Sequence, residues 1–125
     1  MSGPSIAVLD YGIGNLRSAE KALQRVGGDA RLTTRAADVR SADAVVLPGV
    51  GAFGACMNAL NSSGLASAVR DAVESSRPFL GICVGMQMLF TSSDEDPEAT
   101  GLGIVPGRVQ WIPVGGSVRR CSGIA

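Results

Sequence analysis

Residues 77–90 read Arg77-Pro-Phe-Leu-Gly-Ile-Cys-Val-Gly-Met-Gln-Met-Leu-Phe90. A short apolar run leads into a cysteine, with Gly81 two positions before it and Gly85 two positions after it. This spacing is typical of a strand–turn–helix elbow, a turn so tight that side chains at the two glycine positions would clash. The pattern predicts that Cys83 stands at the apex of the turn. The N-terminus of the following helix would then favour its reactive thiolate form.

The same turn predicts a group that binds an oxyanion. The backbone N–H of Val84, the residue after the candidate nucleophile, is placed to donate to developing negative charge. An isolated cysteine is more often a buried, inert core residue, but the flanking glycines favour the nucleophile at Cys83. The other two cysteines, Cys56 and Cys121, lie in no such elbow and are predicted to be inert.

Outward from the elbow, buried-strand patterns alternate with helical ones. Strands are predicted at residues 5–10, 30–33, 44–47 and 108–112, and helices at residues 16–26, 64–73 and 86–90. Residues 53–60 are either a loop or a helical turn, and residues 92–100 are expected to form an exposed loop. The order is typical of an α/β doubly wound fold, a mostly parallel sheet with helices on both faces.

Three glycine-containing stretches fall at the carboxyl ends of predicted strands, where ligands of such folds bind. They are residues 11–15 (Tyr-Gly-Ile-Gly-Asn), residues 48–51 (Pro-Gly-Val-Gly) and residues 81–85. We expect them to line one crevice. Residues 48–51 alone could be an ordinary loop, but beside the elbow they are better read as an oxyanion-hole strand. Residues 12–14 are not a dinucleotide fingerprint, because Arg17 occupies the position of its third glycine.

Composition narrows the class of function. The chain has 11 basic and 11 acidic residues, and no basic cluster indicates a nucleic-acid surface. No apolar run approaches a membrane span and no charged-then-apolar leader precedes the first strand, so a cytoplasmic protein is predicted. Three cysteines without a Cys-x-x-Cys pair indicate neither a disulfide framework nor a zinc site. The chain has no histidine, the usual base beside a cysteine nucleophile.

The elbow Gly81-Ile-Cys-Val-Gly-Met-Gln87 resembles the nucleophile motif of the class I (triad-type) glutamine amidotransferases. Two longer segments, Asp10-Tyr-Gly-Ile-Gly-Asn-Leu-Arg-Ser18 and Pro48-Gly-Val-Gly-Ala-Phe-Gly-Ala-Cys-Met57, resemble one branch closely. That branch is the glutaminase subunit of imidazole glycerol phosphate synthase, which serves histidine biosynthesis. Residues 101–109 are similar to its usual continuation, so the resemblance covers residues 5 to about 110.

The resemblance implies hydrolysis of glutamine to glutamate and ammonia. Cys83 would attack the side-chain amide and form a glutamyl thioester. Val50 and Val84 would supply the N–H groups of the oxyanion hole, Val50 after its peptide turns over. No metal or cofactor is implied.

The resemblance also implies binding partners. Gly49, Gly51 and Gln87 would hold the glutamine. Ammonia would pass through a tunnel to a cyclase subunit, a (β/α)8 barrel, and the two subunits would form a heterodimer. The turn that contains Gly12 and Asn15 resembles the part of the family that faces this partner.

The sequence departs from the family because it has no histidine. The family completes its triad with a His and a Glu, separated by one residue, near the end of a longer chain. We therefore expect residues 1–110 to be the N-terminal part of an amidotransferase domain, incomplete at the C-terminus and with little or no activity alone. Residues 111–125 are expected to be an aberrant tail. A frameshift is one hypothesis for it, because one permitted codon set for residues 118–124, read from its third base, resembles the family's continuation.

Two other classes of function stay open. The first is a non-catalytic binding module that keeps the fold and docks the cyclase; release of ammonia from glutamine would argue against it. The second is an α/β thiol hydrolase outside the amidotransferases that borrows a base from another chain. Labelling of Cys83 by other electrophiles, but not by a glutamine analogue, would favour the second.

Overall fold

The computed structural model describes residues 3–113 and the backbone of Cys121–Ser122. Its main sheet has four parallel strands in the order β2-β1-β3-β4. In chain order these are β1 (Ser5–Leu9), β2 (Asp29–Thr33), β3 (Ala44–Gly49) and β4 (Phe79–Cys83). The central strands carry near-continuous apolar runs because a parallel sheet covered by helices is buried on both faces.

Five helices are described: α1 (Leu16–Arg25), α2 (Ala36–Ser41), α3 (Phe53–Ser63), α4 (Ala66–Glu74) and α5 (Val84–Gln87). On one face of the sheet, Val8 and Val46 pack with Ala19 and Leu23 of α1. On the other face, the larger core joins alternate residues of β1 and β3 to side chains of α2, α3 and α4; it includes Leu9, Leu47, Val39, Leu60 and Val69. The predicted α/β fold with helices on both faces is confirmed.

A second, smaller sheet follows the elbow. Its strands are β5 (Phe90–Ser93), β6 (Val105–Trp111) and β7 (Cys121–Ser122), in the order β5-β6-β7. The first pair is parallel and the second is antiparallel. The strand predicted at residues 108–112 is therefore present, although it begins earlier. Residues 92–100 are not wholly an exposed loop, because β5 reaches Ser93 and this side chain is buried.

Two helices differ from the sequence-based expectation. Helix α2 was not predicted, because its short span buries only Val39 and carries no apolar period. The connection from β2 to β3 nevertheless needs a crossover, since both strands run parallel to β1 between them. The sequence does not decide between a loop and a helical turn for residues 53–60; in the structure they belong to the longer helix α3. Gly64 ends α3 in the left-handed conformation, with φ 79°, and does not open the next helix.

The ends of α1 also differ in part. The predicted stop at Gly27 is confirmed, because its φ of 100° ends the helix in the left-handed region. The prediction that the helix includes Val26 is wrong, because Val26 lies at the C-cap and is 82% exposed. Asn15 occupies the N-cap position, but its side chain makes no capping hydrogen bond.

The proposed tail, residues 111–125, falls mostly outside the described residues, and so does the frameshift hypothesis for residues 118–124. The side chain of Cys121 is outside them as well. The backbone of Cys121–Ser122 pairs with Gln110 and Trp111. In the described ranges, no helix is both long and apolar enough to cross a membrane.

Candidate active site

The three glycine-containing stretches meet at one edge of the main sheet. Strands β1, β3 and β4 are parallel neighbours, so their carboxyl ends lie side by side. Gly49 at the end of β3 is the register partner of Cys83 at the end of β4. The turn after β1 reaches the same place, because the Tyr11 hydroxyl donates a hydrogen bond to the carbonyl of Pro48.

The backbone at Cys83 is that of a sharp elbow. Its φ of 55° and ψ of −124° lie in a region that L-residues rarely adopt, and its side chain is exposed. Both flanking glycines are required, Gly81 by a clash within the turn as predicted and Gly85 by contact with the neighbouring strand β3. A Cβ atom at Gly81 would lie 2.7 Å from the Cα of Met86, and one at Gly85 would overlap the carbonyl of Leu47.

The helix after the elbow is shorter than the sequence analysis expected. Helix α5 ends at Gln87 after a single turn, and Phe90 already begins β5. Because the macrodipole sums over aligned peptides, one turn stabilises a thiolate less than a long helix would. The helix dipole therefore favours the Cys83 thiolate less than the sequence predicted.

The segment after β3 packs backbone against backbone on the elbow. A Cβ atom at Gly49 would lie 2.5 Å from the backbone nitrogen of Gly85, so no larger residue fits there. Val50 and Val84 each follow directly on the paired residues Gly49 and Cys83. The two valine N–H groups predicted to form an oxyanion hole therefore follow adjacent strand ends. Val50 itself is 58% exposed.

The other predicted site residues lie around this edge. Gly51 has a φ of 86°, is exposed and turns the chain toward α3. Gln87 is the last residue of α5 and is partly buried. Gly12, with φ 91°, and Asn15 are exposed in the turn between β1 and α1. The structure brings these residues to one side of the molecule; their contacts with a substrate or a partner stay predictions.

Three residues near the elbow and its neighbouring loop were not predicted to be part of the site. Tyr11 is buried beneath the Pro48–Gly51 segment, and its hydroxyl also lies 3.5 Å from the Met88 sulfur. Cys56, predicted to be inert, is buried in α3 and donates its thiol proton to the Val50 carbonyl at 3.3 Å. Glu95 accepts a hydrogen bond from the Phe53 N–H at the start of α3, at 2.9 Å.

Burial, together with the adjacent Cys56 thiol, raises the pKa of Tyr11 well above its ordinary value. The phenol is therefore protonated and available as a donor throughout the neutral range. The position of Tyr11 just past a strand end could have indicated it as a site residue. Nothing in the sequence could have indicated Cys56 as a site residue, because its contact depends on how α3 packs against the Val50 carbonyl.

The described residues around the elbow form no metal site. Among the residues that the structure describes, no three His, Cys, Asp or Glu side chains are grouped so that they could hold a metal ion. A cavity of about 300 Å³ lies elsewhere, between α2 and strands β1 and β2, and is lined by residues such as Arg31, Thr33 and Asp38. It shares no residue with the three glycine-containing stretches.

Similar proteins agree with this architecture. A family model described as a CobB/CobQ-like glutamine amidotransferase domain matches residues 9–113. A crystal structure of a glutamine amidotransferase superposes with a TM-score of 0.72 and 25% identity, covering 90% of this chain and 59% of that one. A putative peptidase E from Listeria monocytogenes gives a TM-score of 0.66 at 13% identity, covering 82% and 63%, and therefore shares the fold alone.

Curated relatives are more similar in sequence. The imidazole glycerol phosphate synthase subunit HisH of Syntrophotalea carbinolica is 52% identical over 108 residues, which are 86% of this chain and 52% of that protein. The subunit of the same name from Nitrosospira multiformis is 53% identical over 110 residues, 86% of this chain and 51% of that protein. The chain spans about half the length of the curated relatives it matches.

The fold and the site define a doubly wound α/β domain with a cysteine at a strand–turn–helix elbow, facing a glycine-rich strand end. The chain belongs to the glutamine amidotransferase family, whose domain model covers most of its length.

Proposed function

We propose that this chain carries the nucleophilic part of a glutaminase that belongs to an imidazole glycerol phosphate synthase. The observation that supports this most directly is the register of Gly49 with Cys83, which puts Val50 and Val84 next to the candidate nucleophile. Curated relatives that are 52% and 53% identical to the matched part of this chain are named as subunits of that synthase.

The proposed chemistry uses the exposed Cys83 thiol. Its thiolate attacks the side-chain carbonyl carbon of glutamine, and the carbonyl oxygen becomes an oxyanion. The N–H groups of Val50 and Val84 donate to that oxyanion. The C–N bond then breaks, ammonia leaves with an added proton, and a glutamyl thioester remains on Cys83. Water hydrolyses the thioester to glutamate and frees the thiol.

The proposal includes two further features. Gly49, Gly51 and Gln87 contact the glutamine, because they surround the elbow on both neighbouring segments. The exposed turn with Gly12 and Asn15 faces a cyclase subunit that consumes the ammonia, since the relatives are named as subunits and not as complete synthases.

The proton acceptor for Cys83 is not a histidine of these 125 residues, because they contain none. We infer that the base comes from outside them. The chain by itself should therefore form the covalent adduct with an activated glutamine analogue but release ammonia from glutamine no faster than a Cys83→Ala variant does. Ammonia release clearly above that variant would contradict the inferred external base, while leaving the nucleophile in place.

The test uses the chloroketone analogue of glutamine, in which CH₂Cl replaces the amide nitrogen. We expect one adduct by intact mass, mapped to Cys83, which forms more slowly when glutamine is present. Chloroacetone, which has the same reactive group without the amino-acid part, is the matched reagent. Equal rates with the two reagents, or labelling that glutamine does not slow, would argue against the glutaminase and for another thiol enzyme.

A further inference from the structure

We propose that Tyr11 and Cys56 are positioning residues that restrict the orientation of the Val50 N–H beside Cys83, an inference that rests on the proposed function. Tyr11 donates to the carbonyl of Pro48, and Cys56 donates to the carbonyl of Val50. These carbonyls belong to the two peptide groups that flank the Gly49–Val50 peptide. The peptide between them carries the candidate oxyanion donor.

The Tyr11 contact joins three parts of the site. The side chain leaves the end of β1, its hydroxyl reaches the end of β3, and the Met88 sulfur just past the elbow helix lies 3.5 Å from the same oxygen. Tyr11 is 6% exposed and Met88 is fully buried. A buried hydroxyl whose donor is satisfied holds its acceptor in place, because losing the bond would leave a polar group unpaired away from water.

The Cys56 contact fastens the other side of the same peptide. Cys56 lies in the first turns of α3 and is fully buried, so the position of its sulfur is set by helix packing. Its thiol reaches back to the Val50 carbonyl at 3.3 Å, while its backbone N–H bonds to Ala52 within the helix. A thiol is a weak donor, so this contact directs the carbonyl more than it stabilises the fold.

The loop needs such contacts because its own backbone is permissive. Glycine stands on each side of Val50, and glycine restricts rotation of neighbouring peptides less than any other residue. Gly49 is wedged against Gly85, but Gly51 has open space around its Cα. With both flanking peptide groups held, fewer orientations remain open to the Gly49–Val50 peptide between them. Tyr11 and Cys56 therefore limit the directions in which the Val50 N–H can point.

The first measurement is ¹⁵N relaxation of the whole chain. In Tyr11→Phe, which removes only the hydroxyl, and in Cys56→Ala, we expect order parameters at Gly49, Val50 and Gly51 to fall from about 0.85 toward 0.6. Cys56→Ser keeps a donor and should fall between wild type and Cys56→Ala. Thr33→Val is the matched control: it removes a buried hydroxyl that donates to Asp38 at 3.0 Å, on strand β2, which β1 separates from β3 and its loop.

The second measurement separates positioning from general destabilisation. The chloroketone analogue reacts through a tetrahedral adduct that an oxyanion hole stabilises, whereas iodoacetamide alkylates a thiol directly. Tyr11→Phe and Cys56→Ala should lower the chloroketone rate about tenfold, less than the ~100-fold loss from deleting an oxyanion donor itself. The iodoacetamide rate at Cys83 should stay unchanged in both variants, and Thr33→Val should change neither rate.

Unchanged loop order parameters in both Tyr11→Phe and Cys56→Ala would overturn the inference, whatever the labelling shows. Equal losses in the chloroketone and iodoacetamide rates would also overturn it, because they would indicate a disturbed thiol and not a displaced donor. Failure of the proposed function would give a different result: the wild-type chain would react equally fast with the chloroketone analogue of glutamine and with chloroacetone. The loop measurement decides the positioning role in that case too.

Discussion

Cys83 combines an exposed thiol with a backbone that L-residues avoid. Its φ of 55° and ψ of −124° place it in a sparsely populated region, where strain costs about 1–3 kcal/mol. Such strain persists only where the surroundings impose it, here the pairing of β4 with β3 up to the cysteine itself. The same backbone conformation leaves Cys83 exposed at the end of the strand.

This strain can be measured by replacing the cysteine. We expect the free energy of unfolding of Cys83→Gly to exceed that of Cys83→Ala by about 1 kcal/mol, because glycine relieves the positive φ. Urea unfolding measures both values. The matched pair is Cys56→Gly and Cys56→Ala in α3, where glycine should be the less stable residue by about 1 kcal/mol. The same order at both positions would mean that the elbow is not strained.

Gly85 tests the close approach of the two backbones. A methyl group there would overlap the Leu47 carbonyl, so Gly85→Ala should lower the free energy of unfolding by about 3 kcal/mol or more. Gly103 offers a control, because it has a φ of 65° but open space, and Gly103→Ala should cost only about 1–2 kcal/mol. Urea unfolding of both variants checks the difference; similar losses would contradict the packing.

At the scale of elements, the elbow depends on what anchors the start of β4. Arg77, just before this strand, donates from one guanidinium nitrogen to the carbonyls of Val39, Arg40 and Ala42 at 2.7–3.0 Å. These carbonyls are at the end of α2, where backbone acceptors lack helical partners. The contact therefore fastens the α2 end to the strand that carries the candidate nucleophile.

Replacing this guanidinium should be costly although the charge is kept. Arg77→Lys removes the planar guanidinium, whose Nε–H also donates to the Ser75 hydroxyl at 2.8 Å, and replaces it with a more strongly hydrated ammonium. We therefore expect the free energy of unfolding to fall by about 1–3 kcal/mol. Arg25→Lys, at the exposed end of α1, is the control and should stay within about 0.5 kcal/mol of wild type. Thermal or urea unfolding checks both; a tolerant Arg77→Lys would show that the shared contact is dispensable.

At the scale of the whole molecule, β4 occupies one edge of the main sheet within residues 3–113. Leu80 in this strand is 51% exposed, an unusual fraction for a leucine in a parallel sheet. An unpaired strand edge with apolar side chains is a template for association with another chain. The described part of the chain thus has its candidate nucleophile and an edge of the main sheet on the same strand.

Leu80→Lys should reduce concentration-dependent self-association of the isolated chain, because edge lysines oppose strand addition. The free energy of unfolding should change by less than about 1 kcal/mol, since the side chain is half exposed. Light scattering over a concentration series measures the effect. Val26→Lys adds the same charge at an 82% exposed position outside the sheet and should leave association unchanged; an equal effect there would implicate net charge instead of the edge.

Local sequence patterns predict the buried strands, the end of α1 at Gly27 and the elbow at Cys83. Gly81 is such a local case, because a Cβ there would contact the backbone of Met86, five residues along the chain. Gly85 is not, because the atom that excludes its Cβ is the carbonyl of Leu47 on β3. The sequence could not determine α2, whose short span carries no apolar period, nor the lengths of α3 and α5. The pairing of Gly49 with Cys83 and the hydrogen bonds from Tyr11 and Cys56 to the carbonyls of Pro48 and Val50 arise from tertiary packing alone. Those contacts join residues far apart in the chain, and they depend on how strands and helices pack.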